Sequence, residues 1–234
     1  MSGEAREEIL ARIRRSLTRG RLSAARETEL RELVAAHRRN LIPARAAALD
    51  DPDRVSLFVA MAEEVQTTVA RVNSPAAVPE AVARYLAAEN LPANLVLAPD
   101  PSLDDLPWGA RPLLRIRRGR AEERDAVSLT PCFGAIAETG TLMLISGAGT
   151  PTALNFLPDT HIVLVYADQV VATYEDGWDR LRAAGAMPRT INLITGPSRT
   201  GDIEQRIELG AHGPRRLHIV LVDDRQKAGD GEDK

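Results

Sequence analysis

Residues 135–165 read AIAETGTLMLISGAGTPTALNFLPDTHIVLV. Three apolar runs, Ala135–Ala137, Leu142–Ile145 and His161–Val165, stand between turns marked by Gly140, Gly147, Gly149, Pro151 and Pro158. None alternates with polar residues, so each predicts a strand buried on both faces. Working outward, Leu95–Leu97, Leu113–Ile116, Val127–Leu129, Ile191–Ile194 and Leu217–Val222 have the same texture. Asp53 can cap a helix over Val55–Val69, and Pro75 or Pro79 can open one running to Glu89. Arg180–Ala184 reads as part of another helix and Gly201–Leu209 as part of one more. The pattern is an α/β core from about residue 52 onward.

Composition narrows the class. Of 234 residues, 44% are hydrophobic and 27% charged, with a net charge of −3, the profile of a soluble globular protein. Aromatics make up only 3%, too few for a base-stacking platform, and the mild negative charge opposes non-specific DNA binding. No nucleic-acid partner is expected. Cys132 is the single cysteine, so this chain alone can hold neither a disulfide nor an iron–sulfur cluster. Only Lys227 and Lys234 are lysines among 30 basic residues, which leaves no core lysine for a Schiff base or a P-loop. The N-terminus MSGEAREEILARIRR lacks a secretory apolar region, and no apolar stretch reaches the roughly 20 residues of a membrane span. A cytoplasmic location and no transmembrane segment are expected.

Three segments follow from this reading: a helical N-terminal arm over 1–50, an α/β domain over 51–224, and a polar, disordered tail over 225–234. In the arm, Ile9, Leu10, Ile13 and Leu17 lie at helical spacing, and Leu30, Leu33 and Val34 continue the stripe. Residues 1–50 hold 11 arginines against 7 acids. A solvated helical surface accounts for that excess; a docking arm for an acidic partner is the alternative.

Three glycine turns carry the chemistry. Gly147-Ala148-Gly149-Thr150-Pro151-Thr152, with Asp168 further on, imitates a dinucleotide-binding turn. Thr152 stands where the third glycine belongs, and too few residues precede the strand at His161 for the required helix, so a tight turn is expected. Glu138-Thr139-Gly140-Thr141 has two readings. One is a catalytic carboxylate beside turn N–H groups and hydroxyls that cradle an anion. The other is a β-turn needing a glycine at positive φ, with Glu138 exposed. Gly196-Pro197-Ser198-Arg199-Thr200 follows a strand and is expected to open a helix, a natural anion site. There Ser198 and Thr200 offer hydroxyls and Arg199 a bidentate fork. Asp202 joins this candidate set, although an acid in a first helical turn is also explained by the helix dipole. His212, in the turn Gly210–Pro214, is a candidate general acid or base. His161 and His218 are expected to be structural, His37 solvated and Cys132 a small buried thiol. No His/Asp/Glu spacing marks a metal site, and no cofactor is expected in this chain.

Four ordered motifs, Ala135–Thr141, Leu157-Pro158 with His161-Ile162, Gly196–Thr200 with Asp202–Glu204, and Gly210–Pro214, resemble the LUD domain. Over roughly residues 50–223 the chain is similar to the lactate-utilisation protein C family. The resemblance implies an α/β fold like that of ribose-phosphate isomerases, CoA transferases and 5-formyltetrahydrofolate cyclo-ligases, here with a helical N-terminal extension. It also implies a place in bacterial oxidation of L-lactate to pyruvate, beside two partner proteins that carry the iron–sulfur clusters. A non-cluster subunit of such a complex, binding a small carboxylate such as L-lactate, is one expectation, with homo-oligomers open to it. The alternative is a self-sufficient enzyme of isomerase/CoA-transferase-like fold, with Glu138 catalytic and the Ser198–Thr200 loop holding a phosphorylated or CoA-linked metabolite.

Overall fold

The computed structural model describes residues 3–18, 20, 22–39, 42–46, 48–203 and 206–223. The tail expected over 225–234 and Glu204 lie outside them. The chain divides into two compact units, Met1–Leu41 and Ile42–Lys234.

The first unit holds α1 (Gly3–Ser16) and α2 (Ala24–Ala36). Ser23 caps α2 by accepting from Arg26 N–H, and His37, exposed and left-handed, ends it. Neither helix buries a residue, and Ile9, Ile13 and Leu17 stay about half exposed.

The second unit opens with α3 (Asp51–Glu64). The cap is Asp50, whose carboxylate accepts from Asp53 N–H at 2.9 Å, and not Asp53 itself. The helix also stops short of the expected Val69. Gln66 takes φ +68, which breaks the helical path, and Thr68–Val72 becomes strand β1. A turn at Pro75–Ala77 then leads into α4 (Val78–Ala88). There follow β2 (Asn94–Leu97), β3 (Arg115–Arg118), β4 (Val127–Pro131), β5 (Gly134–Ile136), β6 (Thr141–Ile145), β7 (Thr160–Tyr166) and β8 (Val170–Val171). The chain continues through α5 (Tyr174–Ala183), β9 (Ile191–Ile194), β10 (Arg199–Ile203), β11 (Arg206–Leu209) and β12 (Arg216–Val222). Each of the eight apolar runs overlaps a strand, the Leu113 run only by its last two residues.

Six strands form a parallel sheet in the order β1-β12-β7-β4-β2-β3. Its central strands lack alternation because both faces are covered. Ile162, Leu164 and Val220 pack with Val78, Val82 and Leu86 of α4. Val163, Val165 and Ile219 pack with Val55, Phe58 and Ala62 of α3. Burying a side chain of this size stabilises the fold by about 1.5–3 kcal/mol. The remaining apolar runs build a second, mixed sheet, β8-β5-β6-β9, whose Ala135, Leu142 and Leu144 join the α3-side core.

The helix expected over Gly201–Leu209 is absent. Arg199–Ile203 and Arg206–Leu209 pair as an antiparallel hairpin, with a register shift between Thr200 and Ile203. Arg206-Ile207-Glu208-Leu209 alternates charged and apolar residues, a period of two that suits a strand.

Candidate functional site

The turn between β5 and β6 places Glu138–Thr141 against the end of α3. Gly140 sits at φ +64, and a Cβ there would lie 2.4 Å from Ala62 N. Only glycine permits both the conformation and the approach. Glu138 is buried rather than exposed. Its Oε1 accepts from Tyr174 N–H, at the first residue of α5, at 3.0 Å. A carboxylate at a helix N-terminus is favoured by the helix dipole. Glu138 Oε2, also buried, has no partner among the described residues.

Hydroxyls cluster beside it. Thr141 Oγ1 lies 2.7 Å from Thr139 Oγ1, 3.0 Å from Tyr174 OH and 2.6 Å from Thr195 Oγ1. The last contact ties the Glu138 turn to the loop after β9. In that loop Gly196 takes φ +78, and a Cβ there would meet Val65 O at 2.6 Å. Arg199 is exposed, and its Nη2 donates to the same Val65 O at 3.3 Å. Ser198 is knit to the next motif. Its N–H donates to Pro214 O, its carbonyl accepts from Gly210 N–H, and its Oγ accepts from His212 N–H at 3.2 Å. The His212 side chain is exposed. Thr200 is buried on β10. The backbone of Asp202 lies in β10, but its side chain is outside the described residues.

Contacts therefore link the three turns to one another, without the expected helix. Since Arg199 opens strand β10 of a hairpin, no helix N-terminus follows it to aid the guanidinium. The helix N-terminus in this neighbourhood belongs to α5, and Glu138 occupies it.

A second feature lies at the carboxyl edge of the parallel sheet. The chain leaves β2 toward β3 on one side, whereas β4 leads by way of β5 and β6 to β7 on the other. Between such diverging connections α/β sheets open a crevice. Here a cleft of about 610 Å³ is lined by residues at or beyond the ends of β1, β2, β4, β6 and β7, among them Asp100, Asp105, Phe133, Thr150 and Tyr166. None of the sequence-predicted site residues lines it. The lining comes from several strand ends far apart in sequence, so the signal is strand order, which periodicity does not reveal. The Gly147–Thr150 turn is a tight turn, as expected, and it closes on this cleft. A Cβ at Gly149 would stand 3.2 Å from Asp100 Oδ2.

The buried histidines are structural. His161 Nε2 pairs with Thr130 Oγ1 at 2.8 Å, and burial pushes its pKa down to about 3. His218 Nδ1 pairs with Thr68 Oγ1 at 2.8 Å, its ring stacks on Tyr85 at 3.7 Å, and burial pushes its pKa down to about 4. Cys132 is buried, its thiol donates to Gly134 O at 3.0 Å, and burial pushes it up to about 12. Among the described residues no three His, Cys, Asp or Glu side chains gather as metal ligands, and no helix is long and apolar enough to cross a membrane.

A doubly covered parallel sheet, a crevice of small-molecule size at its carboxyl edge and a glycine-turn cluster on the end of α3 define an α/β domain. The LUD domain profile matches residues 55–222, and the chain belongs to that family. It is 43% identical over 103 residues to lactate utilization protein C of Deinococcus radiodurans, covering 43% of this chain and 48% of that protein. Over 107 residues it is 36% identical to lactate utilization protein C of Bacillus subtilis, covering 44% and 45%. The chain thus spans about half the length of the curated relatives it matches. A crystal structure of a DUF162 family protein from D. radiodurans superposes with a TM-score of 0.57 at 29% identity, covering 75% of this chain and 99% of that one.

Proposed function

We propose that this chain serves bacterial lactate utilisation as a component without a cluster of its own, beside iron–sulfur proteins that take the electrons of L-lactate oxidation. The observation that carries the reading is the meeting of the LUD motifs at Glu138, Thr141, Ser198 and Arg199, in a chain whose relatives are named lactate utilization protein C. In this reading Arg199 grips the lactate carboxylate with the donors that Val65 O leaves free, and nearby hydroxyls satisfy further acceptors. Glu138 Oε2 accepts the lactate hydroxyl proton. The C2–H bond breaks as the pyruvate C=O forms, its two electrons pass to the partner proteins, and the C2 hydrogen is released to solvent as a proton. Cys132, a single buried thiol held protonated, offers no route for them.

Growth on L-lactate tests the proposal. A strain lacking the protein should fail to grow, and the wild-type chain should restore growth. Arg199→Ala should weaken carboxylate binding by about 1.5–3 kcal/mol, roughly 10- to 150-fold, with an unchanged melting temperature. Arg199→Lys should recover part of that loss, keeping the charge without the fork. Full growth with Arg199→Ala overturns the site. A collapsed melting temperature makes Arg199 a clamp on α3 instead.

A further inference from the structure

The cleft at the carboxyl edge of the parallel sheet is chemically unlike the Arg199 cluster. Its volume, about 610 Å³, lies within the range of small-molecule sites. Its walls are about half apolar, with the rings of Phe133 and Tyr166 among them, and its charged side chains are two carboxylates, Asp100 and Asp105.

Both acids lack a cation. The neighbouring Asp104 pairs with Arg118 at 2.7 Å, whereas neither Asp100 nor Asp105 has an ion pair among the described residues. Arg180 lies 5.8 Å from the Phe133 ring centroid, but its guanidinium donates to Asp168 O at 3.1 Å and does not line the cleft.

Asp100 is also held in place. Its Oδ1 accepts from Ser102 N–H at 3.0 Å and from Ser102 Oγ–H at 2.6 Å, while Oδ2 accepts no hydrogen bond among the described residues. Gly149, lacking a Cβ, lets the following loop close to that oxygen. The floor is pinned as well. Gln169 donates to Cys132 O at 2.6 Å and accepts from Tyr166 N–H at 2.8 Å. A preorganised acceptor in a half-apolar cleft attracts a charged donor, and like charge there is penalised.

We propose that this cleft is a second binding site, for a small molecule joining a flat ring to a cationic donor such as an amidinium or a protonated amine, and that it rejects carboxylates. The ring lies among Phe133, Tyr166 and the prolines, and the cation bonds Asp100 and Asp105. The inference is independent of the lactate reading.

Two probes of the same size and shape but opposite charge test it on the full chain: benzamidine and benzoate, titrated calorimetrically at low salt. Benzamidine should bind with a Kd of about 1 mM or tighter, and benzoate at least about tenfold more weakly. The double variant Asp100→Asn/Asp105→Asn should lose about tenfold or more in benzamidine affinity and narrow the gap between the probes. Asparagine keeps an oxygen for Ser102 N–H, so the turn should survive. Should the double variant misfold, Asp105→Asn alone, at an exposed and unpaired acid, should still lose about threefold or more. Benzoate binding as tightly as benzamidine, no detectable benzamidine binding, or undiminished binding by a folded variant each overturns the proposal.

Discussion

Mild acid should destabilise this protein through two histidines buried in the parallel sheet. His161 and His218 are held neutral, at pKa values of about 3 and about 4 against an ordinary 6.5. Desolvation is the first cause in both, and the ring partner of each is a threonine hydroxyl, not a carboxylate. Because the folded pKa lies below the unfolded one, the unfolded chain binds more protons throughout the interval between them. Stability is therefore complete above about pH 7 and falls as pH drops below 6.5. At about pH 5 the unfolded histidine is almost fully protonated and the folded one is not. Each site then costs about 1.36 kcal/mol for each of the one and a half units below 6.5, or about 2 kcal/mol.

Together the two sites remove about 4 kcal/mol, a large share of the roughly 5–15 kcal/mol that a domain commands. Urea unfolding at about pH 8, 7, 6 and 5 measures the loss directly. His218→Phe supplies the control. It keeps an aromatic ring to stack on Tyr85 but cannot take up a proton. It should reduce the loss between about pH 7 and pH 5 by about 2 kcal/mol. A stability flat to within about 1 kcal/mol over that range, or an unaltered slope in His218→Phe, refutes the reasoning.

Two further outcomes test the local geometry. Gly140→Ala must hold an L-residue at φ +64 and push a methyl group to 2.4 Å from Ala62 N, so it should cost about 2–4 kcal/mol in urea unfolding; a loss below about 1 kcal/mol would show that the turn relaxes freely. Cys132, buried and pushed up to about 12, should resist a thiol reagent at about pH 8 in the folded chain and react fully in denaturant. Stoichiometric labelling of the folded chain within minutes would contradict its burial.

What the sequence made legible follows a physical rule. Val127–Leu129, His161–Val165 and Leu217–Val222 were readable because strands covered on both faces need no polar residue until they end. Thr68–Val72 escaped because Val65, Val69 and Val72 prolong the apolar spacing of α3, and the break rests on the single conformation of Gln66. The β10–β11 hairpin was misread because Asp202 and Glu204 imitate the acids of a first helical turn. At the candidate site, local chemistry was legible and pairing was not. Gly140 and Gly196 both read as turn glycines, yet nothing in the sequence says that both press on the last turn of α3. The cleft was invisible for the same reason. Asp100, Phe133 and Tyr166 become neighbours only through the order β4-β2 and β7-β4 in the sheet.

That last turn of α3 explains why structural and ligand-binding duties fall on the same motifs. A helix ends with carbonyls that lack intrahelical partners and with a negative dipole end. Here Gly196 brings the β9 loop close to Val65 O, and Arg199 donates to it. A guanidinium has five N–H donors in a fork, so one bond to Val65 O orients the group without exhausting it. The positive counterpart, the N-terminus of α5, is already filled by Glu138 Oε1. An incoming carboxylate therefore cannot use a helix N-terminus in this cluster and must rely on Arg199. In the cleft the order of charges is reversed, with a held Asp100, an exposed Asp105 and no lining cation. The two proposed sites consequently select opposite charges, and one small anion cannot satisfy both.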